Sequence, residues 1–267
     1  MGKVITIAIQ KGGVGKTTIT ANLGAGLGLR GYRTLMIDTD PQASLSEYFG
    51  VDTDDDSLPI LGDLLVARPI RRVQDVIIKT KFENLSLVPT NINLEEARFR
   101  MESDSTEGAR YLEKVVNTMR NDFDVILIDA NPSFSILFIN SLVAADSVIV
   151  PVGLQKMALN SLKKIQQTIS KVQEKIKPIQ VLGIVGTLYD GRTKDSAGSL
   201  DALRQAVGEN VFKTYIRRAT AVGDCVWENK PIQYFDRSSI GFDDFEALTT
   251  EVIERAGLTK LDTVATN

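Results

Sequence analysis

The eight residues Lys11-Gly12-Gly13-Val14-Gly15-Lys16-Thr17-Thr18 place glycines, lysines and hydroxyls in the order that holds a phosphate chain. They follow an apolar β-like run, Val4–Ile9, and open a helical pattern that begins near Lys16. Glycines let consecutive backbone N–H groups converge on an anion without obstruction by Cβ. A helix start adds unpaired donors and the positive end of its dipole. Lys16 then reaches the β- and γ-phosphates, and the Thr17 hydroxyl is placed to ligate Mg²⁺. Gly12, Gly13, Val14, Gly15 and Thr18 form the rest of the cradle. The chemistry is nucleoside triphosphate binding.

Carboxylates follow two further strand-like runs. In Ile37-Asp38-Thr39-Asp40-Pro41-Gln42 the two aspartates are spaced i, i+2 and point to one side. Carboxylates at the C-terminal edge of a parallel sheet face the ligand crevice. Asp129 ends the apolar run Val125–Ile128, the Walker B arrangement that holds Mg²⁺ directly or through water. Asp38 and Asp129 could also serve as strand-end caps, and Asp124, at the far end, reads as a polar boundary residue. Histidine is absent, so any general base is a carboxylate, a lysine or positioned water. Phosphoryl transfer needs positioning and charge stabilisation more than a strong base.

The loop departs from the ordinary GxxxxGKS/T pattern, because Gln10 holds the first glycine position and Lys11 is added at the mouth. This KGGxGKT form resembles the deviant Walker A motif of the ParA/MinD-type ATPases. In that family the extra lysine crosses to the nucleotide of the partner subunit, so the resemblance implies an ATP-sandwich homodimer. Ile37–Gln42 is similar to the family's DxDPQ motif. By that resemblance Asp40 positions or activates the attacking water, Asp38 supports the Mg²⁺ and Lys16 surroundings, and Lys11, Lys16 and Asp40 form the catalytic set. The similarity runs from about residue 3 to 255, through Ile139–Val152, Tyr189–Thr193, Val211–Thr214, Ile216–Thr220 and Asn229–Ile232. Asn131 departs from the family's Asp-x-Pro-Pro reading. Arg217-Arg218-Ala219 stands where partition proteins often show Pro-Arg-Asn, a stretch that lines the adenine pocket in relatives and so assigns Arg218 to the base.

These residues need a scaffold. Strands are expected at Val4–Ile9, Thr34–Ile37, Leu85–Val88, Val125–Ile128, Ser147–Pro151 and Val181–Leu188. Their apolar runs are mostly continuous, as in parallel strands covered on both faces. Helices are expected at Lys16–Arg30, Asn93–Met101, Glu107–Met119, Ser135–Val143, Ala158–Lys177, ended by Pro178, and Leu200–Gly208. The alternation implies an α/β fold, a doubly wound, mostly parallel sheet with right-handed crossovers. With 267 residues and no low-complexity linker, one P-loop domain is expected over 1–267, its last residues, 258–267, a flexible tail. The acidic stretch Asp52–Asp56 reads as a surface loop, Cys225 as a small buried hydrophobe, and Trp227 as a packing residue.

Composition narrows the function. The chain is 43 % hydrophobic with a net charge of −3, which fits a soluble protein and leaves room for a local basic patch. No apolar run approaches the ~20 residues of a membrane span. The N-terminus has no apolar signal core, and the single cysteine suggests a reducing compartment. Within the resembled family, MinD-type proteins end in a basic amphipathic helix that binds membrane, and the tail Gly257–Asn267 has no such character. One cysteine cannot supply the cluster ligands of nitrogenase-type reductases. Arsenite-pump ATPases are two fused halves with thiolate ligands. The partition branch remains, of the small Soj type, since the short N-terminus leaves no room for an added helix-turn-helix domain.

That resemblance implies an ATPase of weak intrinsic activity, ATP and Mg²⁺ as cofactors, and a nucleotide-dependent dimer that binds DNA without sequence preference. It implies a ParB-type centromere-binding partner that stimulates hydrolysis, no membrane, and a cytoplasmic, nucleoid-associated location. DNA contacts are expected from Arg204, Lys213, Arg217, Arg218 and Lys230, although Arg217 and Arg218 could equally serve the nucleotide. The alternative is a ParA-like ATPase that positions a protein complex or cargo.

Overall fold

Strand and helix runs of this length and order close into one eight-stranded sheet in the computed structural model, which describes residues 1–65, 72–155 and 158–261. The strands are β1 (Lys3–Ile7), β2 (Thr34–Asp38), β3 (Ile78–Lys79), β4 (Leu85–Val88), β5 (Val125–Asp129), β6 (Ser147–Gly153), β7 (Gln180–Tyr189) and β8 (Val211–Arg217). Their spatial order is β3-β4-β2-β5-β1-β6-β7-β8, and every pairing is parallel except β3 with β4. β2, β5 and β6 are buried along their whole length, which is why they read as continuous apolar runs.

Helices cover both faces. They are α1 (Lys16–Leu29), α2 (Ser44–Tyr48), α3 (Leu61–Leu65), α4 (Leu94–Ser103), α5 (Tyr111–Met119), α6 (Ile136–Ala144), α7 (Ala158–Lys175), α8 (Lys194–Val207), α9 (Thr220–Trp227), α10 (Ile232–Phe235) and α11 (Ile240–Ala256). Helices α3 to α8 share one core with Val4, Ile126, Ile128 and Val150 of the sheet. Helices α1, α2, α9, α10 and α11 share the other with Ile5, Ile7, Leu127 and Val185. The doubly wound expectation is met, and each expected strand is present with its ends within two residues of expectation.

Seven elements lie outside the expected set: β3, β8, α2, α3, α9, α10 and α11. β8 pairs with β7 on one side, and α11 seals its other edge. The Glu251 carboxylate accepts from the N–H groups of Lys213 and Thr214 at 2.9 and 3.0 Å. Asp244 accepts from the N–H of Arg217 at 2.8 Å, and the Arg255 guanidinium donates to the Val211 carbonyl at 2.9 Å. Side chains that look solvated in the sequence thus cap an exposed sheet edge, a site where chains otherwise pair and aggregate.

Two surface expectations change. Trp227 does not pack: it is 88 % exposed at the end of α9. Cys225, two residues earlier, is buried as expected. The tail is docked through Leu261, because Leu258 is buried, its carbonyl accepts from the Tyr32 hydroxyl, and the Leu261 N–H donates to Asp124. Residues 262–267 lie outside the described residues. Asp124 is the boundary residue expected, paired with Arg33 at 3.0 Å.

Candidate nucleotide-binding site

The register of the three central strands brings the sequence-selected residues together. β5 lies between β1 and β2, with Asp129 level with both Ile7 and Asp38. The loop after β1 (Gln10–Gly15), the Asp38–Asp40 turn after β2 and Asp129 therefore emerge side by side at the C-terminal edge. That edge, at the centre of a doubly wound sheet, is where such folds bind ligands.

The loop is built to receive an anion. Gly13 and Gly15 have φ of 69° and 86°, a left-handed backbone that other residues adopt at a cost. A Cβ at Gly12, Gly13 or Gly15 would meet nothing within 4 Å, so the cradle is open space. Helix α1 starts at Lys16 with no side-chain cap and no acidic residue in its first turn. Its first N–H groups and dipole are left for a ligand. Thr187 Oγ1 donates to the Val14 carbonyl at 2.8 Å and holds the loop's back wall.

Lys16 is buried, and its Nζ donates to the Lys11 carbonyl at 3.3 Å. Burial lowers its pKa, opposed by the charges of Asp129 and Asp40. Asp129 is buried and accepts from Thr17 Oγ1 at 2.6 Å and Thr20 Oγ1 at 3.3 Å. Thr17 and Asp129, the two residues expected at the metal, are thus in direct contact. Asp38 is fully buried, its Oδ1 taking the Asp40 N–H and its Oδ2 both the N–H and the hydroxyl of Ser46. Asp40 is half-buried, and one of its oxygens accepts from the Gln42 N–H at 3.1 Å.

The Lys16 charge does not offset the burial of these carboxylates. Burial, then the neighbouring Asp129, pushes Asp38 up to about 7. Burial pushes Asp129 up to about 6 and also raises Asp40. Among the described residues, no group of three or more His, Cys, Asp or Glu side chains could hold a metal alone. That suits Mg²⁺, which is bound through one or two carboxylates and completes its shell with water and phosphate oxygens. The donor set fits a nucleoside triphosphate with Mg²⁺.

The raised values carry a pH consequence for the ligand-free protein. Between pH 5 and 8 an unfolded aspartate is already ionised, while folded Asp38 and Asp129 still release protons. The native state binds more protons than the unfolded one, so stability falls as pH rises through this window. Carboxylates held below their usual range, such as Asp124 and Asp190, have ionised by pH 5 and add no slope there. The expected result is a lower melting temperature at pH 8 than at pH 5.5, a gap that Mg²⁺–nucleotide closes. A melting temperature that rises with pH in the ligand-free protein contradicts the assignment.

A cleft of about 670 Å³ continues from Val14, Gly15 and Thr18 between the ends of β7 and β8. Tyr189, Asp190, Arg218, Ala219 and Val222 line it, which places Arg218 in the cleft beyond the phosphate cradle. Arg217 is engaged elsewhere, its guanidinium donating to Asp244 at 2.6 and 2.9 Å. Lys230 lies 3.5 Å from Glu228, whereas Arg204 and Lys213 are exposed. The expected basic set is not assembled as a free group.

Sequence reasoning missed the residues that hold the site's shape. Ser46 clamps Asp38 and, through its Oγ, accepts the Thr90 N–H at 3.0 Å, tying β2 to the end of β4. Thr39 Oγ1 donates to the Asp129 carbonyl at 2.8 Å, pinning the two carboxylate-bearing strands together. Asn131 replaces a proline turn with its own, its Oδ1 accepting from the Ser133 N–H at 2.7 Å.

With this geometry in place, comparison with known proteins is specific. A family model described as an AAA domain matches residues 2–181. The chromosome-partitioning ATPase Soj of Treponema pallidum is 34 % identical over 96 % of this chain and 99 % of its own. The structure of Pyrococcus horikoshii MinD complexed with Mg-ADP matches at a TM-score of 0.79 and 26 % identity, covering 96 % of this chain and 98 % of that one. Cyanothece McdA shares the fold at a TM-score of 0.85 and 24 % identity, covering 96 % and 100 %. The fold and site define a P-loop nucleotide-hydrolysing ATPase. The chain belongs to the ParA/Soj family of that class.

Proposed function

We propose that this protein is a DNA-partitioning ATPase whose ATP-bound homodimer binds DNA without sequence preference and is released when a ParB-type partner stimulates hydrolysis. The observation that carries the reading is Lys11. It is half-buried at the loop mouth, and its carbonyl, not its ammonium, is used within the subunit. Among the described residues its side chain has no hydrogen bond or ion pair, which leaves it available to a nucleotide in a second copy.

In this reading Lys16 binds the β- and γ-phosphates and the first turn of α1 cradles them. Thr17 and Asp129 hold Mg²⁺, whose charge offsets that building on the phosphoryl oxygens. Asp38, locked by Ser46, supports this centre, and Asp40 orients the attacking water. Arg218 and the cleft walls take the base. Intrinsic turnover is weak because the full constellation forms only in the dimer. Among the described residues no helix is long and apolar enough to cross a membrane, and a nucleoid-associated location follows from DNA binding. The name of the Soj relative supports the partition role.

The test is fluorescence anisotropy of a random-sequence duplex with ATP–Mg²⁺, with ADP, and without nucleotide. Binding is expected with ATP only, weakening steeply with salt as phosphate contacts release counterions. Lys11→Ala is expected to lose both the ATP-dependent dimer in light scattering and the DNA signal while still binding ATP. A Lys11→Ala dimer that persists contradicts the sandwich. A wild-type dimer that ignores DNA overturns the partition reading in favour of a protein cargo.

A further inference from the structure

Helix α7 carries a charged face that the nucleotide site does not use. Leu162, Ile165, Ile169 and Val172 bury its inner side against the sheet. Its outer side exposes Lys163, Lys164, Lys171 and Lys175. Among the described residues, none of these four forms an ion pair, unlike Lys177, which lies 3.2 Å from Glu113. At 100° per residue, Lys164, Lys171 and Lys175 fall within ~40° of one another, a single row along the helix. Exposed Asn160 and Gln167 border that row, and Glu174 is the one acidic residue on α7. Lys171 and Lys175 are a like-charge i, i+4 pair, which disfavours a helix on its own. In a chain of net charge −3, this is a concentrated positive stripe.

We propose that this lysine face of α7 is the surface on which the phosphate backbone of duplex DNA docks, an inference that rests on the partition reading. The dimensions match. Eleven residues separate Lys164 from Lys175, about 16 Å of helix. One DNA strand carries a phosphate every ~3.4 Å along the axis, so the row spans about five phosphates. Lysines that form no ion pair among the described residues suit such sequence-independent contacts, and the bordering amides add donors to phosphate oxygens. The face is also wired to the nucleotide loop. Gln10, the residue before Lys11, donates through Nε2 to Thr168 Oγ1 of α7 at 3.1 Å, and Thr168 Oγ1 donates to the Lys164 carbonyl at 3.2 Å. The stripe thus stands two hydrogen bonds from the loop that senses ATP, whereas Arg217 is tied to Asp244 and Arg218 lines the base cleft.

The test is duplex anisotropy with ATP–Mg²⁺ across a salt series. Lys164→Glu/Lys171→Glu/Lys175→Glu is expected to weaken binding on the order of 100-fold at ~0.1 M salt. The corresponding triple alanine variant is expected to flatten the slope of log K against log salt by about three. Basal ATP turnover and the ATP-dependent dimer are expected unchanged, and Arg204→Glu/Lys213→Glu is expected to bind within a few-fold of wild type. A triple variant that binds like the wild type overturns the inference, whatever the control does. A wild-type protein that dimerises with ATP but binds no duplex at any salt instead overturns the partition reading beneath it.

Discussion

Lys16→Ala is expected to abolish ATP binding in the micromolar range by isothermal calorimetry while leaving a folded protein by circular dichroism. Among the described residues, Lys16 is the one cation of its own subunit held inside the cradle, with Asp129 and Asp40 close enough to act on its charge. Its Nζ now rests on the Lys11 carbonyl at 3.3 Å, a contact easily exchanged for a phosphate oxygen. Hydrogen bonds to charged groups contribute ~1.5–3 kcal/mol each, so two phosphate contacts amount to about a 100- to 10,000-fold loss of affinity. The fold tolerates the change because burial already disfavours the Lys16 charge. Lys16→Arg separates charge from shape, since a planar guanidinium does not fit a site made for a compact ammonium. It is expected to bind weakly too. Retained ATP affinity in Lys16→Ala refutes the phosphate role.

Most of the site was legible because its chemistry is local. Glycines at positive φ, a lysine and threonine at a helix start, and aspartates at strand ends each follow from neighbours within a few residues. Asp38, Asp40 and Asp129 meet because β2, β5 and β1 are adjacent, and that adjacency follows from the P-loop resemblance rather than from periodicity. What escaped depends on distant partners. Ser46 looks like any helix-start serine until it clamps Asp38. β8 mixes buried and exposed residues because it is an edge strand, and its missing partner is the polar side of α11. Arg217 reads as a free cation only while Asp244, twenty-seven residues on, is out of sight. Trp227 shows the opposite error, since a large indole is usually buried and here lies open at the end of α9.

Asp40→Ala is expected to keep ATP binding and the ATP-dependent dimer while slowing hydrolysis by about 100- to 10,000-fold, the range for losing a positioned acid–base group. Three aspartates compete for the water-orienting role, and their environments separate them. Both oxygens of Asp38 are taken by Asp40 and Ser46, and its side chain is wholly enclosed. Asp129 is engaged by Thr17 and Thr20 at the expected metal position, so its loss removes Mg²⁺ and affinity together. Asp40 alone is half-exposed at the crevice, with one oxygen free of protein partners among the described residues. Burial raises its pKa while the Lys16 charge opposes the shift. With phosphate binding assigned to the loop and not to Asp40, the Asp40→Ala dimer is expected to persist with ATP uncleaved and to stay on DNA. Asp38→Ala, by contrast, is expected to release the clamp and cost stability as well as rate. Normal turnover in Asp40→Ala moves the role to another group, and loss of ATP affinity in that variant shows a positioning role for the phosphates instead.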